Sequence, residues 1–181
     1  VDFMYGLICV VRGRRSEADI FFRRAVEKEP DFYLYHLRLA ENRHMRGLSP
    51  EEELERAREL APEDPWVLNF SGLLDLERRD FEKAAESFGR ALEKSDQDPE
   101  VLINYTEALF RLGEREKAIE LLKGREEPRC LNQLGTLSAE AGKVDEAMKA
   151  YRKAMTEDPA SIEYKENYAA VSIEEIGRAH V

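Results

Sequence analysis

The stretch from Leu134 to Pro159, LGTLSAEAGKVDEAMKAYRKAMTEDP, constrains the whole chain. Counted from Gly135, Gly142 lies 7 residues on, Ala147 12, Tyr151 16, Ala154 19 and Pro159 24. Apolar residues on either side of Gly142 recur at helical spacing, so the stretch reads as two amphipathic helices meeting at a glycine turn. That spacing returns along the chain. Gly13, Gly47, Gly113, Gly142 and Gly177 take one equivalent place, with Arg79 where a sixth glycine is due, in steps of 34, 32, 34, 29 and 35 residues. A small residue follows five positions later at Ala18, Ala84, Ala118 and Ala147. Then come a bulky residue (Phe22, Phe88, Leu122, Tyr151), a second small one (Ala25, Ala57, Ala91, Ala154) and a closing proline (Pro30, Pro62, Pro159). Self-similarity at a fixed period outranks any local reading, because each copy is one supersecondary unit stacked on the next.

The physical reason for the pattern is packing. Small residues let two helices approach closely, and the bulky one fills the gap between successive pairs. A glycine after the first helix adopts positive φ without steric cost. Proline ends the second helix, since it lacks an N–H and restricts the residue before it.

At these residues the chain resembles the tetratricopeptide repeat, a helix–turn–helix unit with glycine in its first helix, alanine and an aromatic in its second, then proline. The resemblance implies an all-α, right-handed superhelical α-solenoid of antiparallel helix pairs, about eleven helices in all. We expect a single array over residues 1–181, with units 1–32, 33–64, 65–98, 99–127 and 128–162 and a partial unit 163–181. The second helix of the first unit is expected over 16–29. In the second unit Ser49 reads as an N-cap, with Pro50 at the first helical position and Glu52 in a capping box. The helix over 50–60 is short and highly charged, turns Leu54, Ala57 and Leu60 inward, and should be among the weaker parts. Gly124 and Pro128 predict a shortened helix in the fourth unit and a local change of superhelix geometry. A last helix is expected over 163–176, ending before Gly177.

Composition bounds the function. Charged residues make up 36% of the chain. That suits an elongated stack better than a single large core. Net charge is −10, and no basic stripe offers the phosphate neutralisation that nucleic acid demands, so no nucleic-acid partner is expected. No apolar run is long enough to span a membrane. Opening at Val1 inside an apolar-periodic segment, the sequence reads as a fragment whose targeting signals need not be present, so localisation is unreadable. Cys9 and Cys130 lie four units apart, too far for a bridge.

Catalytic and metal-binding patterns are not found. His36 and His44 stand eight apart, not at the four-residue spacing of helical zinc ligands, and read as surface or groove histidines; His180 has no partner in sequence. The Gly142–Lys143 pair is followed by Val144 rather than Ser or Thr, so it reads as a turn and not a phosphate loop. Carboxylate clusters such as Glu51–Glu53 sit where a helix dipole favours acids. No enzyme activity and no cofactor are expected.

What the resemblance implies is a binding face made by the first helix of each pair, an interaction scaffold for a peptide or partner protein. Carried over by position, its residues are Leu7 in the first unit and Leu37, Glu41 and His44 in the second. Trp66, Asn69 and Leu73 come from the third, and Asn104, Glu107 and Arg111 from the fourth. The fifth supplies Arg129, Asn132, Gln133 and Thr136. Phe110, Tyr164, Asn167 and Val171 occupy further positions of the same kind. Apolar residues dominate the early units; amides dominate the later ones, suited to holding an extended peptide backbone. The carboxylate clamp of chaperone-binding relatives is not matched. Asn104 and Arg129 fit it, but Asn69, Leu73 and Gln133 stand where Lys, Asn and Arg are wanted. Self-association through the terminal helices and a regulatory arm of a larger enzyme are the alternatives.

Overall fold

The spacing of the turns is visible in the backbone of the computed structural model, which describes residues 1–179. Gly13, Gly47, Gly113 and Gly142 all adopt positive φ, between 69° and 98°. Gly113 shows why: it ends its helix in the left-handed conformation while its N–H bonds back to Phe110 O. Arg79, standing where glycine is due, takes φ 63° as well. A side chain there costs about 1–2 kcal/mol. Glycine's looser unfolded chain offsets part of that gain. Arg79→Gly should therefore stabilise the protein by about 0.5–1 kcal/mol, read as a rise in the urea midpoint at unchanged slope.

The described residues form eleven α-helices and no strand. They gather into two units, Val1–Ser71 and Gly72–Val181, with the division inside α5 (Pro65–Glu77). The first unit holds α1 (Asp2–Val11), α2 (Arg15–Lys28), α3 (Tyr33–His44), α4 (Glu51–Leu60) and the start of α5. The second holds the rest of α5, then α6 (Phe81–Lys94), α7 (Pro99–Leu112), α8 (Arg115–Leu122), α9 (Pro128–Glu140), α10 (Val144–Glu157) and α11 (Ile162–Ala179).

The repeated small and bulky residues form the core within each unit. Ala18, Ala84, Ala118 and Ala147 are fully buried, and Phe22, Phe88, Leu122 and Tyr151 nearly or wholly so. Each aromatic ring lies in a saddle made by a first-helix glycine. A Cβ on Gly72 would come within 2.8 Å of the Phe88 ring, and one on Gly135 within 2.6 Å of Tyr151. Gly6 gives Phe22 the same room. Here the glycine serves close approach and not backbone freedom.

Helix ends follow local chemistry. Asp98 Oδ1 accepts the Glu100 and Val101 N–H groups at 2.8 and 3.2 Å, with Pro99 opening α7. Asp64 does the same for Trp66 and Val67 ahead of α5. Ser49 does not cap. Its hydroxyl donates to the Glu51 carboxylate, Pro50 takes the N-cap place and α4 starts at Glu51. The shortened fourth-unit helix is present as α8, eight residues long, with Gly124 at φ 81° just beyond it. The last helix overruns its expected end: α11 continues through Gly177 to Ala179, so that glycine makes no turn. His180 lies outside the described residues.

Two ionic clusters, each centred on a buried side chain, tie the first unit together. His36 is 6% exposed, not a surface histidine, and lies between two acceptors: Glu53 Oε2 at 2.7 Å and the Pro30 carbonyl at 2.8 Å. Arg43 reaches the other Glu53 oxygen at 3.3 Å. Asp19, also buried, takes Arg23 at 2.7 Å and Arg46 at 2.8 Å. Charges removed from water persist only when partnered in this way.

Candidate functional site

In the second unit, α7 packs on α9 and α9 on α11, so the first helices of successive pairs share one face. A ladder of polar side chains crosses it. Glu107 on α7 accepts Arg111 Nε at 2.7 Å on one oxygen and Gln133 Nε2 of α9 at 3.2 Å on the other. The Glu107 bond holds the Arg111 guanidinium above its ordinary pKa, and Arg111 also approaches Glu140 at 3.5 Å. Asn132 donates to Glu163 on α11 at 3.0 Å and accepts from Asn167 at 2.9 Å. Thr136 donates to the Asn132 carbonyl and meets the Tyr151 hydroxyl, both at 3.1 Å. Arg129 lies 3.7 Å from Glu100. Five of the residues expected here thus fall into two neighbouring hydrogen-bonded groups: Glu107, Arg111 and Gln133 between α7 and α9, and Asn132 and Thr136 with Glu163 and Asn167 between α9 and α11. Asn104 and Leu73 are half-buried on the first helices of the same unit.

Other expected positions are placed differently. Leu37 is fully buried and Asn69 is 5% exposed, so both belong to the core. Phe110 is buried too, and Arg115 covers its ring with the guanidinium 5.3 Å from the centroid. Tyr164 packs with Leu131 and Ala154, and Val171 with Ala147 and Tyr151. On α11, Asn167 lies on the polar face as expected, joined there by Glu163, while Tyr164 and Val171 turn to the core. Glu163 was missed, although its i,i+4 spacing to Asn167 puts the two on one face.

The first unit has an apolar counterpart. Leu7 packs half-buried against Phe22 beside Phe3. Phe3 stacks on Tyr35, and Tyr35 meets Phe32 edge-on, each at 4.7 Å between centroids. Met4, Met45 and Trp66 are 59%, 60% and 40% exposed. Glu41 accepts from Arg38 at 2.7 Å, and His44 meets the Phe70 ring edge-on at 5.7 Å. Trp66 is thus accessible, as an anchoring aromatic must be.

Both cysteines are free and buried. Burial pushes the Cys130 thiol up to about 11, so it is no nucleophile at neutral pH. Among the described residues no three His, Cys, Asp or Glu side chains gather as a metal site, and no helix is long and apolar enough to cross a membrane.

Models of the tetratricopeptide repeat match residues 75–127 and 128–161. A TPR repeat-containing protein of Treponema pallidum (strain Nichols) is 30% identical over 162 residues. The chain belongs to the tetratricopeptide-repeat family. The match covers 84% of this chain and 20% of that relative, so the chain spans about a fifth of its relative's length. Solved tetratricopeptide proteins share the fold. A thermophilic TPR protein of Thermus thermophilus superposes with a TM-score of 0.77 at 22% identity, over 95% of this chain and 97% of that one. YrrB, described as a TPR protein with an unusual peptide-binding site, gives a TM-score of 0.64 at 13% identity over 91% and 89%. The tetratricopeptide chain is accordingly an all-α solenoid whose repeated residues are those that pack its helix pairs.

Proposed function

We propose that this chain is a non-catalytic interaction scaffold that holds an extended peptide segment of a partner protein on the first-helix face of its second unit. The observation that carries this reading is the amide ladder of Asn132, Gln133 and Asn167. Carboxylates and neighbouring amides fix the orientation of these side chains. A preoriented amide retains a second N–H and a second lone pair, the complement of a peptide backbone. Pre-organisation lowers the entropy lost on binding. The unusual peptide-binding site described for YrrB is consistent with this use of the fold. Leu73, half-buried on α5, adds an apolar position on a first helix of the same unit.

The test is a peptide selected from a random library on the 1–181 protein. Leu73→Ala and Asn104→Ala should each weaken it about three- to thirtyfold while helicity stays constant. Unchanged affinity in both variants would move the site off this face.

A second reading rests on α1 and the Val1 that precedes it, which together expose Val1, Tyr5 and Ile8. The equivalent residues of α9, namely Cys130, Leu134 and Leu137, are buried. An open apolar face of that kind supports self-association. Sedimentation should then show concentration-dependent dimers that Ile8→Glu abolishes; a monomer at high concentration contradicts it. The short share of its relative also suits an arm of a longer polypeptide.

A further inference from the structure

One cavity of the second unit is a separate feature of the polar face. It measures about 180 Å³ and is lined by Ile103, Arg129, Asn132, Gln133, Glu163 and Tyr164. Its size suits one side chain rather than a helix. Ile103 and the buried Tyr164 give it apolar walls. Both amides turn a donor to a carboxylate: Asn132 Nδ2 to Glu163 Oε1, and Gln133 Nε2 to Glu107 Oε2. Their oxygens therefore keep acceptor capacity, with Asn167 on one lone pair of Asn132 Oδ1. Glu163 is the only carboxylate in the lining. Its two oxygens offer about four acceptor sites. Asn132 fills one of them. Arg129 does not neutralise it, being drawn instead to Glu100 on α7 at 3.7 Å.

We propose that this cavity is a specificity pocket for a basic side chain, lysine or arginine, of the bound peptide, with Glu163 as its counter-ion. An ammonium or guanidinium carries several donors and no acceptor, which matches what the cavity offers. The aliphatic stem of the same side chain lies against Ile103 and Tyr164. A carboxylate ligand would find Arg129 and the second N–H of each amide, but would face the like charge of Glu163 and the two amide oxygens. The inference rests on the peptide reading above and adds the class of residue selected.

The test uses an immobilised random library of N-acetylated decapeptides, so that no α-ammonium competes, probed with the 1–181 protein at low salt. Selected peptides should share a lysine or arginine at one position. Replacing it with norleucine, or Glu163 with Gln, should each reduce affinity about three- to tenfold. The two changes together should lose no more than one alone, because they remove the same contact. Glu163→Gln is isosteric and keeps an acceptor for Asn132, and an unchanged far-ultraviolet spectrum establishes its fold. Binders that respond to Leu73→Ala and Asn104→Ala but share no basic residue, or show additive losses with Glu163→Gln, would overturn the pocket and leave the groove. A protein that captures no peptide would overturn both.

Discussion

Phe88→Ala should cost about 3–5 kcal/mol of stability. Phe88 is fully buried, and its ring lies over Gly72 in a saddle that no smaller side chain fills. Truncation removes the transfer energy of the ring and leaves a cavity whose walls, α5 and α6 backbone among them, collapse only in part. Because a repeat stack is stabilised by each unit and by its contacts with neighbours, the loss should extend beyond α6 into α7. Hydrogen exchange should show protection falling in both helices, with a smaller change in α10. The companion change probes the saddle from its other side. Gly72→Ala gains helix propensity but drives a methyl into the ring, with overpacking that costs about 1–3 kcal/mol. Combining Gly72→Ala with Phe88→Leu should recover part of that loss. Strict additivity of the two would mean that the ring and the glycine are not paired.

Glu53→Ala should be nearly as costly, about 3 kcal/mol, for a different reason. Glu53 is the shared acceptor for His36 and Arg43, whose side chains are 8% and 15% exposed. Its removal leaves two buried polar groups without that partner, and the penalty is their desolvation rather than a lost contact. The damage should localise to α3 and α4, because α4 has only Leu54 and Ala57 buried to hold it otherwise. Glu53→Gln, which retains an acceptor oxygen, should lose distinctly less. Equal losses in the two variants would show that packing, and not the ionic cluster, secures α4.

The fold was legible because its determinants are local and repeated. Alanine, glycine and the bulky residue recur at fixed offsets, and a helix pair can be read from one copy and checked against the others. Arg79 was readable as a turn residue only by its place in the series, since arginine has no preference for positive φ. Ser49 failed as a cap because Pro50 takes the N-cap place and α4 starts at Glu51, one residue later than the pattern implies.

The face was only half legible. Helix–turn–helix phase places a residue on a side of its helix, but burial also depends on how closely the neighbouring helix approaches. Leu37 and Asn69 lie at positions equivalent to Ile103 and Asn132, yet the first two are buried and the last two half-exposed. In α11 the core takes Tyr164 and Val171, and the groove keeps Asn167 and gains Glu163. Which carboxylate orients which amide is a three-dimensional fact, and the ladder depends on it.

The most direct test of the central claim is a map of amide shifts in isotope-labelled 1–181 protein on titration with a library-selected peptide. Binding on the first-helix face predicts saturable changes at Asn104, Gln133, Thr136 and Asn167, with the side-chain amides of Asn132 and Gln133 among the largest. Changes confined to α6, α8 and α10, the second helices of that unit, would contradict it.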